Sequence, residues 1–365
     1  METTGLTSAA LGALMPRDDR PSPTRGKAVW RWLRGLSPEA WESGAATAWP
    51  DAIPDVAAAA LASLRAHARP PDLRVEERVA SLDGTLKWRL ACRGAPVETV
   101  LIPTPTRATV CVSSQSGCTR WCDFCATARM PFAGSLTAGQ IVAQVLLARA
   151  SATVPVTNVV FMGMGEPLDN LDQVLAAIAV LDDGVGLAPR HVTVSTSGVL
   201  PALERLWRES RASVALSLHA TTQELRDRLM PRVRKWPIAD LVAFMRAASA
   251  AEDVAAASGR KPRHFFIEYA LMEGVNDGPD DAERLVALLA GVRARVNLIP
   301  FNGSDPGGGV APILYRRPSP ERIRAFQACV MAAGFICIVR ETRGDDAAAA
   351  CGQLAYRASA LGGPA

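Results

Sequence analysis

No run of eighteen or more apolar residues occurs in the 365-residue chain, so nothing in it reads as a bilayer-spanning helix. Lysine is nearly absent. Of 40 cationic residues only Lys27, Lys87, Lys235 and Lys261 are lysines, and the rest are arginines. Guanidinium forks suit bidentate phosphate contacts, although an arginine-favouring, alanine-rich coding bias produces the same excess. A net charge of only +4 excludes a polycation. Eight cysteines are too sparse for a disulfide scaffold, so their spacing has to say what they do. The opening METTGLTSAALGALMPRDDR has no basic residues ahead of its short apolar run and acidic ones soon after. No secretory signal is expected, and the expectation is a cytoplasmic protein with no membrane partner. What is present, 49% hydrophobic and 21% charged residues, matches an ordinary globular chain with a sizeable core.

Residues 1–26 combine Pro16, Pro21 and Pro23 with polar residues and no apolar period, which predicts a flexible lead-in. From 27 to 70 apolar residues recur at helical spacing (Val29, Trp30, Leu33, then Leu61, Leu64), predicting a small helical accessory domain. Residues 71–107 read as a β-hairpin and linker region. Two alternating runs flank Asp83-Gly84, and VETVLIP (97–103) follows. From 108 to 355 short apolar strands alternate with helical patterns. Strands are predicted at 109–113, 157–162, 191–195, 213–218, 264–271, 295–299 and 335–339, with helices at 136–150, 171–182, 199–209, 238–251, 279–291 and 319–333. Such repeats mean βαβ units, a parallel sheet and an α/β partial barrel, with reactive groups past the C-terminal ends of strands. The Gly-rich GSDPGGGVAP (303–312) is expected to be a mobile loop, and 356–365 a tail.

Cys118, Cys122 and Cys125 stand at CxxxCxxC spacing directly after the first strand of the repeat. Three thiolates in so short a loop can hold one corner of a cubane 4Fe-4S cluster and leave the fourth iron open for a ligand. Zinc would call for two separated pairs or a nearby histidine, and His67 is the nearest, far upstream. Gly163-Met164-Gly165-Glu166-Pro167 follows the second strand. Alone it is an ordinary tight turn. Beside the triplet it reads as a site, where glycines allow close backbone approach and Glu166 accepts from an ammonium group.

The triplet resembles the signature of the radical S-adenosylmethionine (SAM) superfamily. From Arg74 onward the chain resembles the RlmN/Cfr-type adenine methyltransferases in seven ordered segments: ATVCVSSQSGC (108–118), VVFMGMGEPLDN (159–170), HVTVSTSGVLPAL (191–203), VALSLHA (214–220), IEYALMEGVNDG (267–278), VNLIPFN (296–302) and VRETRGDDAAAACGQLA (339–355). The resemblance implies a radical SAM (βα)6 partial TIM barrel behind a small helical N-terminal domain. It implies methylation of adenine C2 in 23S ribosomal RNA, with transfer RNA as a second substrate, using two SAM molecules per turnover. It assigns the methyl-carrying residue to Cys351, the resolving thiol to Cys111 through a transient Cys111–Cys351 disulfide, and the base to Glu98. Cofactor contacts fall on Gly165, Glu166, Ser195, Ser217, Leu218, His219 and Asn302, and the cluster on Cys118, Cys122 and Cys125. A flavodoxin-type electron donor and a monomeric state are also expected.

Without the resemblance, Cys111 in TVCVS would be a buried small hydrophobe, Cys351 helix packing and Glu98 a solvated strand residue. Cys92, Cys329 and Cys337 are expected in the core. Candidates for RNA contact are Arg226, Arg228, Arg232, Arg234, Lys235, Arg316, Arg317, Arg340 and Arg343, with Trp121 and Trp236 for stacking. The chain departs from the family pattern at Pro131-Phe132 and Gly134-Ser135, after Asn302, and in MPRVRKWPI (230–238). Three alternatives stay open: C8 methylation of adenine, the antibiotic-resistance chemistry; a divergent paralogue with another substrate; and a non-catalytic RNA-binding module.

Overall fold

The structure, a computed structural model, describes residues 1–17, 20–303 and 315–355. The Gly-rich loop, apart from Gly303, and the 356–365 tail lie outside the described residues. Two compact units divide the chain. The first is Met1–Ser116, Ala133–Thr193 and Ser210–Ala212; the second is Gly117–Phe132, Val194–Glu209 and Ser213–Ala365.

In the first unit, the antiparallel strands β1 (Arg74–Ala80), β2 (Leu86–Cys92), β3 (Ala95–Pro103) and β4 (Ala108–Cys111) are followed in the sheet by β7 (Val156–Phe161), parallel to β4. The short pair β5 (Gln115–Ser116) and β6 (Gly134–Ser135) stands apart. Asp83-Gly84 does form the turn, where Asp83 Oδ1 accepts from Thr85 N–H at 2.9 Å. Helices Ala138–Ala150 and Leu171–Val180 flank β7 in sequence. The first opens on a capping box between Thr137 and Gln140 and is buried on nearly every side, as its apolar composition requires.

Residues 1–26 correct the expected flexible lead-in. Thr7 caps a helix at Ser8–Ala13, and Leu11 and Met15 have no exposed surface. Thr4 Oγ1 donates to Gly139 O at 2.9 Å, and the buried Glu2 receives the Thr137 hydroxyl. A helix of six residues is too short to show an apolar period, so its burial comes from contacts distant in sequence. Helices Pro23–Arg34, Pro38–Glu42 and Ala58–His67 then supply the helical character read at 27–70.

β8 (Val192–Thr196) crosses the division. The second unit carries β9 (Ser213–Ser217), β10 (Phe265–Leu271), β11 (Ala294–Pro300) and β12 (Ile336–Val339) as consecutive parallel neighbours. Helices Leu200–Glu209, Ile238–Ala257, Pro279–Leu289 and Pro320–Ala332 connect them. Ile267, Tyr269, Leu271, Val296 and Leu298 are fully buried, as strands covered on both faces demand. Among the described residues no helix is long and apolar enough to cross a membrane.

Candidate active site

In the first unit, β3 and β4 bring Glu98 and Cys111 to one face of the sheet. Cys111 pairs with Val100, and so does Lys87 of β2. Glu98, two residues along β3, projects to the same side, which puts it about 7–8 Å diagonally from Cys111. Lys87 Nζ stands 3.4 Å from Glu98 Oε1 with both side chains almost wholly buried. Glu98 is therefore not the solvated strand residue that its position alone would allow. Lys87, one of only four lysines, was not foreseen as part of this group.

The turn after β7 closes over the loop after β4. Ser113 Oγ donates to Glu98 O at 2.6 Å and accepts from Met164 N–H at 2.9 Å, while Glu166 N–H donates to Gln115 Oε1 at 2.9 Å. Gly165 has φ +101°, and a Cβ there would lie 2.6 Å from Gln115 Cβ, so no other residue fits. Glu166 is buried, and its Oε1 caps the following turn by accepting from Leu168 N–H at 3.0 Å.

In the second unit, the cysteine loop is pinned at several points. Gly117, at φ +75°, starts it where a Cβ would meet Pro131 O at 2.4 Å. Asp123 N–H donates to Leu229 O at 2.9 Å, and its carboxylate accepts from Arg129 and from Tyr315 Oη at 2.7 Å. Cys118, Cys122 and Cys125 are all half-buried thiols. Among the described residues no three thiol, carboxylate or imidazole groups gather as a single metal ion needs. Ligands of a cubane each bind a different iron and are held apart by the cluster itself. The donor set, three thiols of one loop, fits a 4Fe-4S cluster.

The C-terminal segment docks on this loop. Ala126 N–H donates to Gly352 O at 2.8 Å, and Thr127 Oγ1 to Leu354 O at 2.6 Å. Between these contacts and Asn302, whose Nδ2 lies 3.4 Å from Cys351 O, stands Cys351. It is exposed by area, yet protein surrounds it closely enough that desolvation raises its thiol above the ordinary value, against the pull of Arg340. Asn302 Oδ1 also accepts from Thr342 Oγ1 at 2.8 Å and Arg317 at 3.4 Å. Gln353 Nε2 bridges Gly303 O at 2.8 Å and Asp345 Oδ1 at 2.7 Å.

The strand ends carry the remaining candidates. Ser195 and Ser217 hydroxyls are 3.4 Å apart. Leu218 is fully buried with both backbone groups engaged, its N–H on Glu268 O and its O receiving Ala220 N–H and Arg226. His219, at φ +55°, accepts from Ala270 N–H through Nδ1 at 3.0 Å and meets the Phe124 ring edge-on at 4.8 Å. Burial, reinforced by Arg226, holds its pKa down at about 3. Folded protein thus keeps His219 neutral, while the unfolded chain takes up a proton near pH 6.5. Its contribution is complete above that pH and is expected to be lost as pH falls from about 6.5 towards 3, at about 1.4 kcal/mol per unit. Urea melts at stepped pH should show this slope and show it flattened in His219→Gln; an unchanged slope would refute the assignment.

Arg226 is a correction. Expected on an RNA-facing surface, it has no exposed area and donates to the carbonyls of Ser217 at 3.1 Å, Leu218 at 2.7 Å and Ser197. It ties the ends of β8 and β9 together. QELRDRL places arginines on both faces of a short helix, and sequence alone does not tell which one turns inward. Glu268 also went unforeseen. It is buried at the middle of β10, accepts from Asn297 Nδ2 at 2.8 Å, and burial raises its pKa. Cys92 and Cys337 are buried, as expected for core thiols, whereas Cys329 is only half-buried.

The Radical SAM superfamily pattern matches residues 112–289. The chain is similar to the dual-specificity RNA methyltransferase RlmN of Methylobacterium radiotolerans, 41% identical across 96% of this chain and 85% of the relative. It is similar likewise to RlmN of Anaeromyxobacter sp., 40% identical across 94% and 86%, and of Marinobacter nauticus, 44% identical across 80% and 78%. Among solved structures, a radical SAM methyltransferase from Sphaerobacter thermophilus matches with a TM-score of 0.80 and 37% identity, covering 97% of this chain and 98% of that one. The α/β fold expected from the alternating strands and helices is therefore the radical SAM fold.

Proposed function

This chain belongs to the RlmN family of radical SAM RNA methyltransferases, and from that premise we propose that it methylates C2 of adenine in 23S ribosomal RNA and in transfer RNA by way of a methylated Cys351. The observation that carries the reading is the docking of the Cys351 segment on the cysteine loop through Ala126–Gly352 and Thr127–Leu354. A methyl carrier has to stand beside the place where the radical arises, and this contact supports that role.

Cys118, Cys122 and Cys125 would hold the 4Fe-4S cluster, with Gly165, Glu166, Ser195, Ser217, Leu218, His219 and Asn302 around SAM. When bound, cluster and SAM supply the methyl group and, on one-electron reduction, an adenosyl radical. The rest falls to the chain's own side chains. Cys351, held as a neutral thiol by its surroundings, gives up its proton as it becomes a thioether. Once its S-methyl group has given up one hydrogen atom to that radical, the S-bound carbon joins adenine C2, a position too poor in electron density for polar alkylation. Glu98, fixed by Lys87, takes the ring proton while the adduct gives up one electron, which would return to the cluster; the Cys111 thiolate then attacks Cys351 sulfur, the carbon–sulfur bond breaks, and the freed carbon takes up a proton to become the methyl group of the base. Two protein thiols are oxidised to one disulfide, and an external thiol reductant returns them.

In this reading residues 108–355 are the catalytic part, 71–107 the connecting strands and 27–70 a helical accessory domain. The protein works as a cytoplasmic monomer fed by a flavodoxin-type donor. The test is anaerobic incubation of iron-loaded protein with RNA, SAM and a reductant, followed by nucleoside digestion and mass spectrometry against isomer standards. 2-Methyladenosine is the expected product. Unmodified RNA, or 8-methyladenosine, would overturn the proposal.

A further inference from the structure

The cysteine loop carries a feature that neither ligates nor packs. Trp121 lies between Cys118 and Cys122 at φ +54° with 56% of its surface exposed. A left-handed backbone is costly for a large aromatic, and nothing in the core repays it, because the ring points out to solvent. Arg232 lies over that ring, 4.5 Å from guanidinium carbon to centroid. Beside it Arg120 sits 5.5 Å from the Trp236 ring and donates to Arg232 O at 3.3 Å, and Lys235 Nζ lies 5.9 Å from the same ring. Arg232, Arg234 and Lys235 are exposed. Their segment is held from below by Met230 and Val233, which are buried in a cluster with Leu229, Met272 and Phe301. Two aromatic faces and four cations thus form one ledge on rigid footing.

The ledge is close to the chemistry. Ala126 stands five residues beyond Trp121, at most about 18 Å of chain, and Ala126 is hydrogen-bonded to Gly352 beside Cys351. An adenine drawn out of a folded RNA leaves its flanking nucleotides unstacked. An exposed aromatic, Trp121, and a half-buried one, Trp236, set among cations answer both needs of such a strand, a π-face for a bare base and positive charge for each phosphate. An acidic protein would use the cations and leave the two ring faces without a purpose.

We propose that Trp121, Arg232, Lys235 and Trp236 form a stacking ledge that grips the single-stranded nucleotides flanking the extruded adenine. The inference rests on the RNA-methylating role assigned above and names where that RNA is held. Binding is measured by fluorescence anisotropy on the full iron-loaded chain, with a fluorescein-labelled RNA hairpin whose loop contains an unpaired adenine. Methylation of Cys351 by SAM, read by intact mass in the absence of RNA, runs alongside. Trp121→Ala is expected to weaken RNA binding by roughly 5- to 100-fold, and Trp121→Tyr to restore most of it. Arg232→Gln with Lys235→Gln, both outside the cysteine loop, should flatten the salt dependence by about 0.7 per lost phosphate contact. Cys351 methylation should persist in the Arg232→Gln, Lys235→Gln variant, which leaves the cysteine loop untouched.

RNA affinity within about twofold of the parent in every variant would overturn the ledge. So would unchanged RNA affinity together with slower turnover on a reduced flavodoxin-type protein but not on dithionite, because the face would then belong to the electron donor. Failure of Cys351 methylation in the parent chain would instead strike the proposed function and leave the RNA-binding result standing.

Discussion

Cys351→Ala is expected to abolish methyl transfer to RNA, by at least about 10³-fold, while leaving iron content and fold intact. The hydrogen bonds that hold its turn, Ala126 to Gly352, Asn302 to the Cys351 carbonyl, and Gln353 to Gly303 and Asp345, are made by backbone and neighbouring groups and survive loss of the thiol. Of the other thiols, Cys111 is assigned to the resolving step and Cys329 is half-buried on the helix Pro320–Ala332. Cys118, Cys122 and Cys125 are assigned to the cluster, and Cys92 and Cys337 are buried, with desolvation pushing Cys337 up to about 12 and Cys92 higher still. Intact mass of protein exposed to SAM should show a methyl group on the parent chain and none on the variant. Near-parental methylation of RNA by the variant would mean that the methyl group travels another way.

Cys111→Ala should do something different. Without the thiol that cleaves the link, the protein is expected to stall joined to its RNA through Cys351. The product is a covalent species that survives denaturing electrophoresis and collapses on nuclease digestion. Cys111 is buried and replaced by a smaller side chain, so a stability loss of about 1 kcal/mol is expected, too little to unfold the chain. The double variant Cys111→Ala with Cys351→Ala must give no adduct. If the single variant turns over normally and no adduct accumulates, Cys111 is a packing residue after all.

The repeating part of the fold was legible because parallel strands buried on both faces write themselves as apolar runs. All seven strands predicted after residue 107 occur within a residue or two of the expected bounds, from Ala108–Cys111 to Ile336–Val339. The cysteine loop was legible because the spacing of three thiols is itself a statement about the group they hold. The folding of residues 1–17 was not, since Thr4 and Glu2 find their partners at Gly139 and Thr137, far along the chain. Nor was the inward turn of Arg226, where identical neighbours in sequence face opposite environments. Lys87 and Glu268 share that limit. Each gains its meaning from a residue on an adjacent strand, and strand register is not written in composition.

Asn302 holds three things at once: the carbonyl of Cys351, the hydroxyl of Thr342 and the guanidinium of Arg317. It is also assigned to SAM, and because its oxygen already accepts twice, a ligand that donates to that oxygen has to displace Thr342 or Arg317. Variants at this position will therefore mix two kinetic signatures, weakened cofactor affinity and misaimed delivery of the carrier sulfur. Titrating the cofactor to saturation is what separates them, because saturation repairs the first defect and leaves the second untouched.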